Sequence, residues 1–524
     1  MNKKYAIGYL CFCLVMPLLA EENNISNKAN YQLAGRFAPY KIKKLLYSTS
    51  INAKWIEGTE NFWYEWKTGD GKSFYMGDPI KGTKQLLFDN DKIAAELTRI
   101  TRDPWDAQHL PIEKIKFIDE NTLQFDVKSS QDDKGEEVID EEIDEQKWEI
   151  EEKEKEKIYK RKVFHFEYKI NTQKLRELKD WEAPDKHPKW ANVSPDGETI
   201  VFARNHNLYM IDASDYKKIL DAGRGKDGKK AEDAIEKVTV NEIQLTRDGE
   251  EHYSYAVFDR GDTDDKRKRD KGKRKRTRIY WAKDSKKFAS IRSDQRKSKD
   301  LWVVHSVKNK RPKLETYKYD MAGDKNVTQY EIDIHDLATQ SILRLDIKKF
   351  KDQRIGVYSG RQFRYPDSDK PQQTVWLAED SKKLYFYRQS RDMHKVDVCV
   401  ADAETGEVKV LFKEKLNTYI ELQRLELLKS GDMIWWSERD GWAHLYYYGK
   451  NGTLKRQITS GPFSVRRVVG VDERKKTIYF MANGREKNED PYFQHLYSVF
   501  FDGTKLKLLN QGNFDHRISM GESN

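Results

Sequence analysis

One pattern of apolar and polar positions recurs along most of this chain. An apolar residue is followed by a polar turn and then by a strand in which apolar and polar residues alternate, as in WANVSPDGETIVFARNHNLYMID from Trp190 and WLAEDSKKLYFYRQSR from Trp376. Related units begin at Tyr280 and Val471. The turns carry the Asp, Ser, Asn and Gly residues that favour chain reversals, and alternation with a period of two is typical of half-buried strands. Repetition of one such unit predicts a propeller or another array of antiparallel sheets.

The same strand–turn–strand pattern extends towards both ends of the chain. Gly69, Asp70 and Gly71 are expected to reverse the chain in one unit, and Asp119 to Asn121 in the next. An aromatic content of 12% favours strands, because aromatic side chains pack well on a pleated face. We therefore predict an all-β fold, an eight-bladed β-propeller over residues 51–515 with a complete or a shortened last blade.

Two highly charged insertions interrupt the pattern. Residues 131–157 hold 14 acids and 5 lysines, a composition typical of a solvated loop or an exposed helix. The second insertion, residues 262–278, contains ten basic residues between Lys266 and Arg278 and accounts for much of the net charge of +10. Such a run can bind nucleic acid, but this one lies between two strands and lacks interleaved aromatic residues for base stacking. No nucleic-acid partner is therefore expected.

The N-terminus has the features of a secretory signal peptide in the usual order. Two lysines precede an apolar stretch, Tyr5 to Leu19, and Ala20 offers a cleavage position. We predict a signal peptide at 1–20, followed by a lead-in at 21–50. The alternative is an uncleaved membrane anchor, for which the apolar stretch is short. No stable membrane span is expected after cleavage.

Cysteine usage adds a constraint on the compartment. Without residues 1–20, Cys399 is the only cysteine, so no internal disulfide can form. It lies in the alternating stretch VDVCVAD, where the expected role is that of a small buried hydrophobic residue. An exported protein without disulfides fits the periplasm or the cell surface of a bacterium.

The most specific motif is a charged turn flanked by aromatic strands, SERDGWAHLY at Ser437–Tyr446. With its surroundings, WWSERDGWAHLYYYGKNGTLKRQITSG, and the stretch Met481–Leu509, it resembles the N-terminal propeller of dipeptidyl peptidase IV-like enzymes, serine peptidases of the prolyl oligopeptidase family. DPWDAQHLP from Asp103 and SPDG at Ser194–Gly197 also resemble family positions. The resemblance covers most of the chain from about residue 50 to residue 510.

The resemblance implies an eight-bladed propeller followed by an α/β-hydrolase domain with a catalytic Ser, Asp and His. The family's Ser lies on a G-x-S-x-G turn beside an oxyanion hole, and this sequence contains no such pentapeptide. No catalytic residue is therefore predicted in this chain. We expect it to be the part of a peptidase that gates peptide substrates together with a missing hydrolase domain, or else a degenerate, non-catalytic copy.

The family also holds the free α-amino group of its substrate between two propeller Glu residues. After the corresponding L-T-x-D-G turn this chain has Glu250 and Glu251, directly beside the turn. Further along the strand, where the family has its acids, the chain reads HYSYAV (His252–Val257). Glu250 and Glu251 are the predicted amine ligands, because two carboxylates in a confined space bind an ammonium group. A surface pair without function is the alternative.

Other polar residues give no further site. His444 is expected to be a packed or hydrogen-bonded strand residue, and Glu438, Arg439 and Asp440 are expected to hold a turn. No cluster has metal-ligand spacing and no Gly-rich phosphate loop follows a strand, so neither a metal nor a cofactor is predicted. A homodimer is expected. The alternative function is a stand-alone propeller that binds peptides or glycans without catalysis.

Overall fold

The computed structural model describes residues 30–42, 45–137, 159–257, 263–307, 311–361, 369–371 and 373–518. The predicted signal peptide and residues 138–157 of the predicted acidic insertion lie outside the described residues. The described part of the lead-in holds two short helices, α1 (Tyr31–Arg36) and α2 (Pro39–Ile42). No helix in the described ranges is long and apolar enough to cross a membrane.

Antiparallel sheets form the framework of the other described residues. In the described residues there are seven sheets of four or five strands, numbered here in chain order, and one separate two-stranded hairpin. Sheet 1 contains β1 (Lys54–Trp55), β2 (Phe62–Thr68), β3 (Gly71–Asp78) and β4 (Thr83–Leu86); sheet 2 contains β5 (Ile112–Phe117), β6 (Thr122–Glu137), β7 (Tyr159–Lys169) and β8 (Lys174–Glu177); sheet 3 contains β9 (Asn192–Val193), β10 (Thr199–Arg204), β11 (Asn207–Asp212) and β12 (Ile243–Gln244).

The fourth sheet has five strands, and the chain that forms the two-stranded hairpin lies between two of them in the sequence. Sheet 4 contains β13 (Tyr253–Ser254), β14 (Ile279–Trp281), β15 (Lys287–Asp294), β18 (Gln329–Asp336) and β19 (Ile342–Arg344), and the hairpin is β16 (Asp300–His305) with β17 (Lys313–Lys318). Sheet 5 contains β20 (Arg354–Val357), β21 (Lys383–Gln389), β22 (Lys395–Asp402) and β23 (Val408–Lys415); sheet 6 contains β24 (Glu426–Leu427), β25 (Met433–Ser437), β26 (His444–Tyr448) and β27 (Leu454–Gln457); sheet 7 contains β28 (Ser464–Asp472), β29 (Thr477–Asn483), β30 (Gln494–Phe500) and β31 (Lys507–Leu508). The predicted all-β class is confirmed, whereas a count of eight blades is not.

The predicted turns lie where the sequence places them. Gly69 and Asp70 join β2 to β3, and Gly71 adopts a φ of 133°, a conformation that favours glycine. Between β5 and β6, a carboxylate oxygen of Asp119 accepts hydrogen bonds from the backbone N–H groups of Asn121 and Thr122, both at 2.8 Å. Such side-chain acceptors stabilise a chain reversal, because they bind backbone N–H groups of the turn.

Four of the five apolar clusters in the described residues are shared by neighbouring sheets. Between sheets 1 and 2, the ring of Phe88 packs edge-on against Phe74 at 5.6 Å and Phe125 at 5.7 Å. Further clusters join sheet 3 to sheet 4, sheet 4 to sheets 5 and 6, and sheet 6 to sheet 7. Because a sheet must bury its apolar face against another layer, the sheets that share these clusters pack against each other.

Three helices of nine residues or more are additions to the strand pattern predicted from the sequence, namely α3 (Asn90–Thr101), α4 (Ala213–Gly223) and α5 (Gly228–Glu236). Helix α4 is capped by the preceding residue Asp212, whose side chain accepts a hydrogen bond from the backbone N–H of Asp215 at 2.8 Å. Its apolar residues, Tyr216, Ile219 and Leu220, are buried and form a cluster with residues of sheet 3. The helix therefore covers one face of that sheet.

Both predicted insertions are partly built into the fold. β6 continues to Glu137, so the acidic insertion begins as strand. The basic insertion contains helix α6 (Asp264–Arg269) and then forms isolated bridges, from Lys275 to Ala203 in β10 and from Thr277 to Ala256, two residues after β13. Within it the Arg274 side chain is buried and binds Glu242 at 2.8 Å. Arg274 and Glu242 form an ion pair in the core, since a buried charge must be paired to be tolerated.

Candidate functional site

The chain between β20 and β21 leaves sheet 5 and contacts each of the other six numbered sheets. We call its described residues, 359–361, 369–371 and 373–377, the crossing segment. The contacts divide into three groups, one near each end of the segment and one in its middle.

Arg361 anchors the first part of the crossing segment. Its guanidinium binds Glu426 in β24 through Nε–Oε2 at 3.1 Å and Nη2–Oε1 at 2.5 Å. It also donates hydrogen bonds to the backbone carbonyls of Val468, at 2.7 Å, and Val469 in β28. A two-point bond of this kind fixes both the position and the orientation of the arginine. Sheets 6 and 7 are thereby tied to the segment.

The middle of the segment contacts sheets 1, 2 and 3. Lys370 Nζ lies 2.7 Å from a carboxylate oxygen of Glu57, two residues beyond β1. Asp369 forms an ion pair with Lys116 in β5. Gln373 Nε2 donates to the carbonyl of Ser194, which directly follows β9, at 2.6 Å. These contacts are polar and lie at the surface, except at Ser194, which is buried.

The last part of the segment joins sheet 4. Val375 pairs with Trp281 of β14 as an isolated parallel bridge. The backbone N–H of Trp281 donates to Thr374 O at 2.8 Å, and that of Trp376 donates to Trp281 O at 2.9 Å. The side chains of both tryptophans are at most 1% exposed. Backbone pairing between buried tryptophans makes this the most firmly held part of the segment.

The contacted residues lie in, or next to, the strands β1, β5, β9, β14, β24 and β28. Except for β14, each is the first strand of its sheet. One short segment can reach six sheets only where those sheets come together. Strands of six sheets therefore lie next to the crossing segment.

Two cavities flank the crossing segment. One, of about 520 Å³, lies on the side of sheets 1 and 2 and is lined by Trp55, Phe117 and His187 together with residues 369–371. Burial lowers the pKa of His187, whose Nδ1 is 2.8 Å from the hydroxyl of Tyr216. The other, of about 490 Å³, lies among sheets 4, 6 and 7 and is lined by polar and apolar residues that include Arg361. Cavities of this size can hold a few residues of an extended peptide.

The predicted amine ligands lie away from the crossing segment. The carboxylate of Glu250 is 2.7 Å from Arg296 Nη1, whereas that of Glu251 is 3.9 Å from Nε2 of His252. Their side chains are 59% and 54% exposed. The two residues thus have different partners, and their role as amine ligands stays a prediction.

A buried charged network lies next to Glu250 and was not predicted from the sequence. The side chain of Arg292 is fully buried and binds Asp248 at 2.8 Å and Glu331 at 2.9 Å. Its guanidinium also lies 3.7 Å from the ring centre of Tyr253. Burial opposes ionisation of Asp248, but the hydrogen bond and the positive charge of Arg292, together with the charge of Arg344, act the other way, so the pKa of this carboxyl lies below its usual value. Glu331 and Asp248 are each about 40 residues from Arg292 in the chain, so no local sequence pattern predicts these contacts.

The SERDGWAHLY motif holds the geometry of sheet 6, as predicted. Arg439 donates to Tyr448 at 2.8 Å and to the buried Glu414 at 2.8 Å. His444 is fully buried, and its two ring nitrogens lie 3.1 Å from Thr459 Oγ1 and from the carbonyl of Gly461. The expectation of a hydrogen-bonded strand histidine is therefore confirmed.

Fold and contacts together define an all-β protein of consecutive antiparallel sheets, six of which contact one segment. Residues 274–524 match the family model of the dipeptidyl peptidase IV (DPP IV) N-terminal region. This match confirms, for that part of the chain, the resemblance inferred from the sequence.

Curated relatives and solved structures carry related names. A probable dipeptidyl-aminopeptidase B of Talaromyces marneffei is 21% identical over 392 residues, which are 68% of this chain and 37% of the relative. One from Ajellomyces dermatitidis is 22% identical over 371 residues, 65% of this chain and 35% of the relative. The crystal structure of Porphyromonas gingivalis dipeptidyl peptidase 4 has a TM-score of 0.48 and 16% identity, covering 89% of this chain and 54% of that one. The chain thus spans little more than a third of these curated relatives.

Proposed function

We propose that this chain is the propeller portion of an exported dipeptidyl peptidase IV-like serine peptidase and that it gates the access of peptides to a hydrolase domain. In this proposal the sheets are the blades of a ring, and their inner strands line a central channel. The crossing segment spans that channel and leaves the two flanking cavities as openings. The predicted signal peptide supports export to the periplasm or cell surface of a bacterium.

The observation that carries the proposal is the set of contacts that the crossing segment makes, between Arg361 and Val375, to six different sheets. A bar across the channel admits an extended chain, whose width is that of a single strand, and excludes a folded domain. The sequence contains no G-x-S-x-G pentapeptide, so this chain is expected not to hydrolyse peptides by itself.

Binding measurements on the full chain test the gate. We would compare a labelled unstructured peptide with a small disulfide-closed protein that presents the same sequence, using fluorescence anisotropy. The peptide should bind saturably and the folded protein should not. The substitution Arg361→Ala should let the folded protein bind as well, whereas Arg456→Ala, at an arginine of the exposed strand β27, should not. Equal binding of the unstructured peptide and the folded protein to the unaltered chain would contradict the proposal.

The expected dimer and the dependence on a hydrolase domain need separate measurements. Light scattering of the purified chain gives its mass directly, and a monomer at all concentrations would contradict the homodimer. Release of product from Xaa-Pro chromogenic substrates at enzyme-like rates by the purified chain would contradict the absence of catalytic residues.

A further inference from the structure

The cavity of about 520 Å³ beside sheets 1 and 2 has an aromatic lining, unlike the cavity among sheets 4, 6 and 7. Its walls carry the rings of Trp55, Trp63 and Phe117, and Pro184 and Pro371 extend this apolar surface. We call this space the aromatic cavity. Aromatic side chains of this kind offer a large apolar surface to a ligand and lose little conformational freedom when they bind it.

Contacts between rings hold the aromatic wall in place. The ring centre of Trp55 lies 5.4 Å from that of Phe62 in an edge-on arrangement. The ring of Trp63 lies 6.5 Å from the rings of Phe74 and Phe117, and its side chain is only 4% exposed. The wall therefore belongs to the folded framework, which keeps the cost of ordering it around a ligand low.

The charged side chains of the described lining already have partners of opposite charge. The ion pairs are Glu57 with Lys370 at 2.7 Å, Asp369 with Lys116, and Asp185 with Arg224 at 2.6 Å. Burial lowers the pKa of His187, although the charge of Asp185 acts against it. A charged ligand would have to break an existing ion pair, so an uncharged ligand fits this lining better.

One hydrogen-bond donor of the lining is still available. The indole Nε1 of Trp55 is buried and has no hydrogen-bond partner among the described residues. A buried donor without an acceptor is costly, so a ligand that brings one acceptor is favoured. A peptide carbonyl meets this need with one oxygen, whereas a sugar brings several hydroxyl groups that need both donors and acceptors. The lining therefore favours a peptide over a sugar.

We propose that the aromatic cavity binds one uncharged apolar residue of an extended peptide, with its side chain against the rings of Trp55, Trp63 and Phe117. A carbonyl of the same peptide accepts a hydrogen bond from Nε1 of Trp55. Residues 369–371 belong both to the cavity lining and to the crossing segment, so a peptide that passes the segment presents its residues here. This inference rests on the proposed gating function and adds to it a preference for one class of peptide residue.

Fluorescence anisotropy of five labelled peptides on the full chain tests the inference. The peptides share the sequence Gly-Ser-Xaa-Ser-Gly, with Leu, Phe, Ser, Asp or Lys as Xaa, an acetylated N-terminus and fluorescein at the C-terminus. The acetyl group excludes any contribution from the predicted amine ligands Glu250 and Glu251. The Leu and Phe peptides should bind about tenfold more tightly than the Ser peptide, because their side chains leave water. The Asp and Lys peptides should bind no better than the Ser peptide.

Two substitutions separate the two contacts. Trp55→Phe keeps a ring but removes the N–H group, so the Leu and Ser peptides should both bind about fivefold more weakly. Phe117→Ser removes a ring from the wall, so the preference for Leu over Ser should fall below about threefold. The matched control is Trp302→Phe in β16, at a tryptophan that is 71% exposed, and it should leave every affinity unchanged.

The outcomes distinguish this inference from the gating function. Equal affinities for the Leu and Ser peptides would overturn the inference, and the gate would stand if the folded protein were still excluded. An equal loss of affinity in Trp302→Phe, or displacement of the Leu peptide by maltotriose, would overturn it as well. If the folded protein binds but a preference for Leu persists and Trp55→Phe weakens binding, the gate fails and the cavity remains a peptide site.

Discussion

The guanidinium of Arg361 and the carboxylate of Glu426 form a two-point ion pair, with N–O distances of 3.1 and 2.5 Å, that ties the crossing segment to β24. The carboxylate of Glu426 is only 12% exposed, so the pair is partly shielded from water and from salt. It is the only described ion pair between the crossing segment and sheets 6 and 7.

Removing this pair should loosen the segment without unfolding the protein. For Arg361→Ala we expect the opening free energy of the segment to fall by about 1–2 kcal/mol, which is about a five- to thirtyfold loss of protection from hydrogen exchange. The reporter is the backbone N–H of Gly360, which donates to Val375 O at 2.9 Å. Exchange measured by mass spectrometry on peptides around residues 355–361 checks the result.

The control for this prediction is Arg456→Ala, because that arginine is exposed and makes one weak contact, with the carbonyl of Asp502 at 3.4 Å. Its substitution should leave exchange near Gly360 unchanged. Faster exchange throughout the chain in Arg361→Ala would instead mean that the pair stabilises the whole fold, and the segment would then not be an independently held bar.

The buried carboxylate of Glu414 should be a large contributor to the stability of sheet 6. It accepts hydrogen bonds from Trp435 Nε1 at 2.6 Å, Ser437 Oγ at 2.5 Å and Arg439 Nη2 at 2.8 Å. Glu414→Gln removes the charge that Arg439 needs and places N–H donors opposite donors. We expect the free energy of unfolding to fall by about 3 kcal/mol, measured by urea denaturation.

Glu404→Gln is the matched control, since Glu404 is exposed in the turn after β22 and only its backbone N–H is bound there. This substitution should change the stability by less than about 0.5 kcal/mol. An equal effect of both substitutions would show that Glu414 is not the centre of the network.

Local features of the fold were accessible from the sequence because their causes are local. The turns at Gly69–Asp70 and Asp119–Asn121 depend on residues that accept their own neighbours' N–H groups or tolerate left-handed backbone. The role of His444 followed from its place in an alternating strand. Helix α4 had a local signal too, the Asp212 cap and the apolar spacing of Tyr216, Ile219 and Leu220, but the predicted all-β fold did not include it.

The candidate site could not be predicted in the same way. Arg361 and Glu426 are 65 residues apart, and Arg274 lies 32 residues from Glu242. Only the packing of whole sheets brings such pairs together, so the basic run was predicted to be an insertion between two strands although Arg274 within it is a core residue. The surroundings of Glu251 likewise include the basic insertion, which lines the same cavity as Glu251. The residues beside Glu251 in the sequence do not indicate this contact.

The thiol of Cys399 should be inert in the native protein. Its side chain is fully buried, and burial raises its pKa to about 12, so the reactive thiolate is scarce at neutral pH. We expect iodoacetamide to label Cys399 at least a hundredfold more slowly in the native state than in 8 M urea, with labelling of this residue followed by mass spectrometry. Rapid labelling under native conditions would contradict the burial of β22 in the core.

Protonation of His335 should weaken the fold in mild acid. The ring is almost fully buried, with Nε2 2.9 Å from Ser290 Oγ and the face stacked on Phe288 at 4.5 Å. Burial lowers its pKa from 6.5 to about 4. The unfolded chain therefore takes up a proton between these two values that the folded chain does not, so stability is full above pH 6.5 and falls as the pH drops towards 4.

The expected loss from His335 is on the order of 3 kcal/mol across that window, from a shift of about 2.5 pH units. Urea denaturation at a series of pH values, for the unaltered chain and for His335→Gln, separates this group from the other titrating residues. The substituted chain should be less stable at pH 7, because Gln does not fill the stacked site, yet its stability should fall less steeply below pH 6.5. Parallel pH profiles for the two chains would show that His335 does not carry the acid sensitivity, and a ring signal that titrates near pH 6.5 in the folded state would show that it is not buried as described.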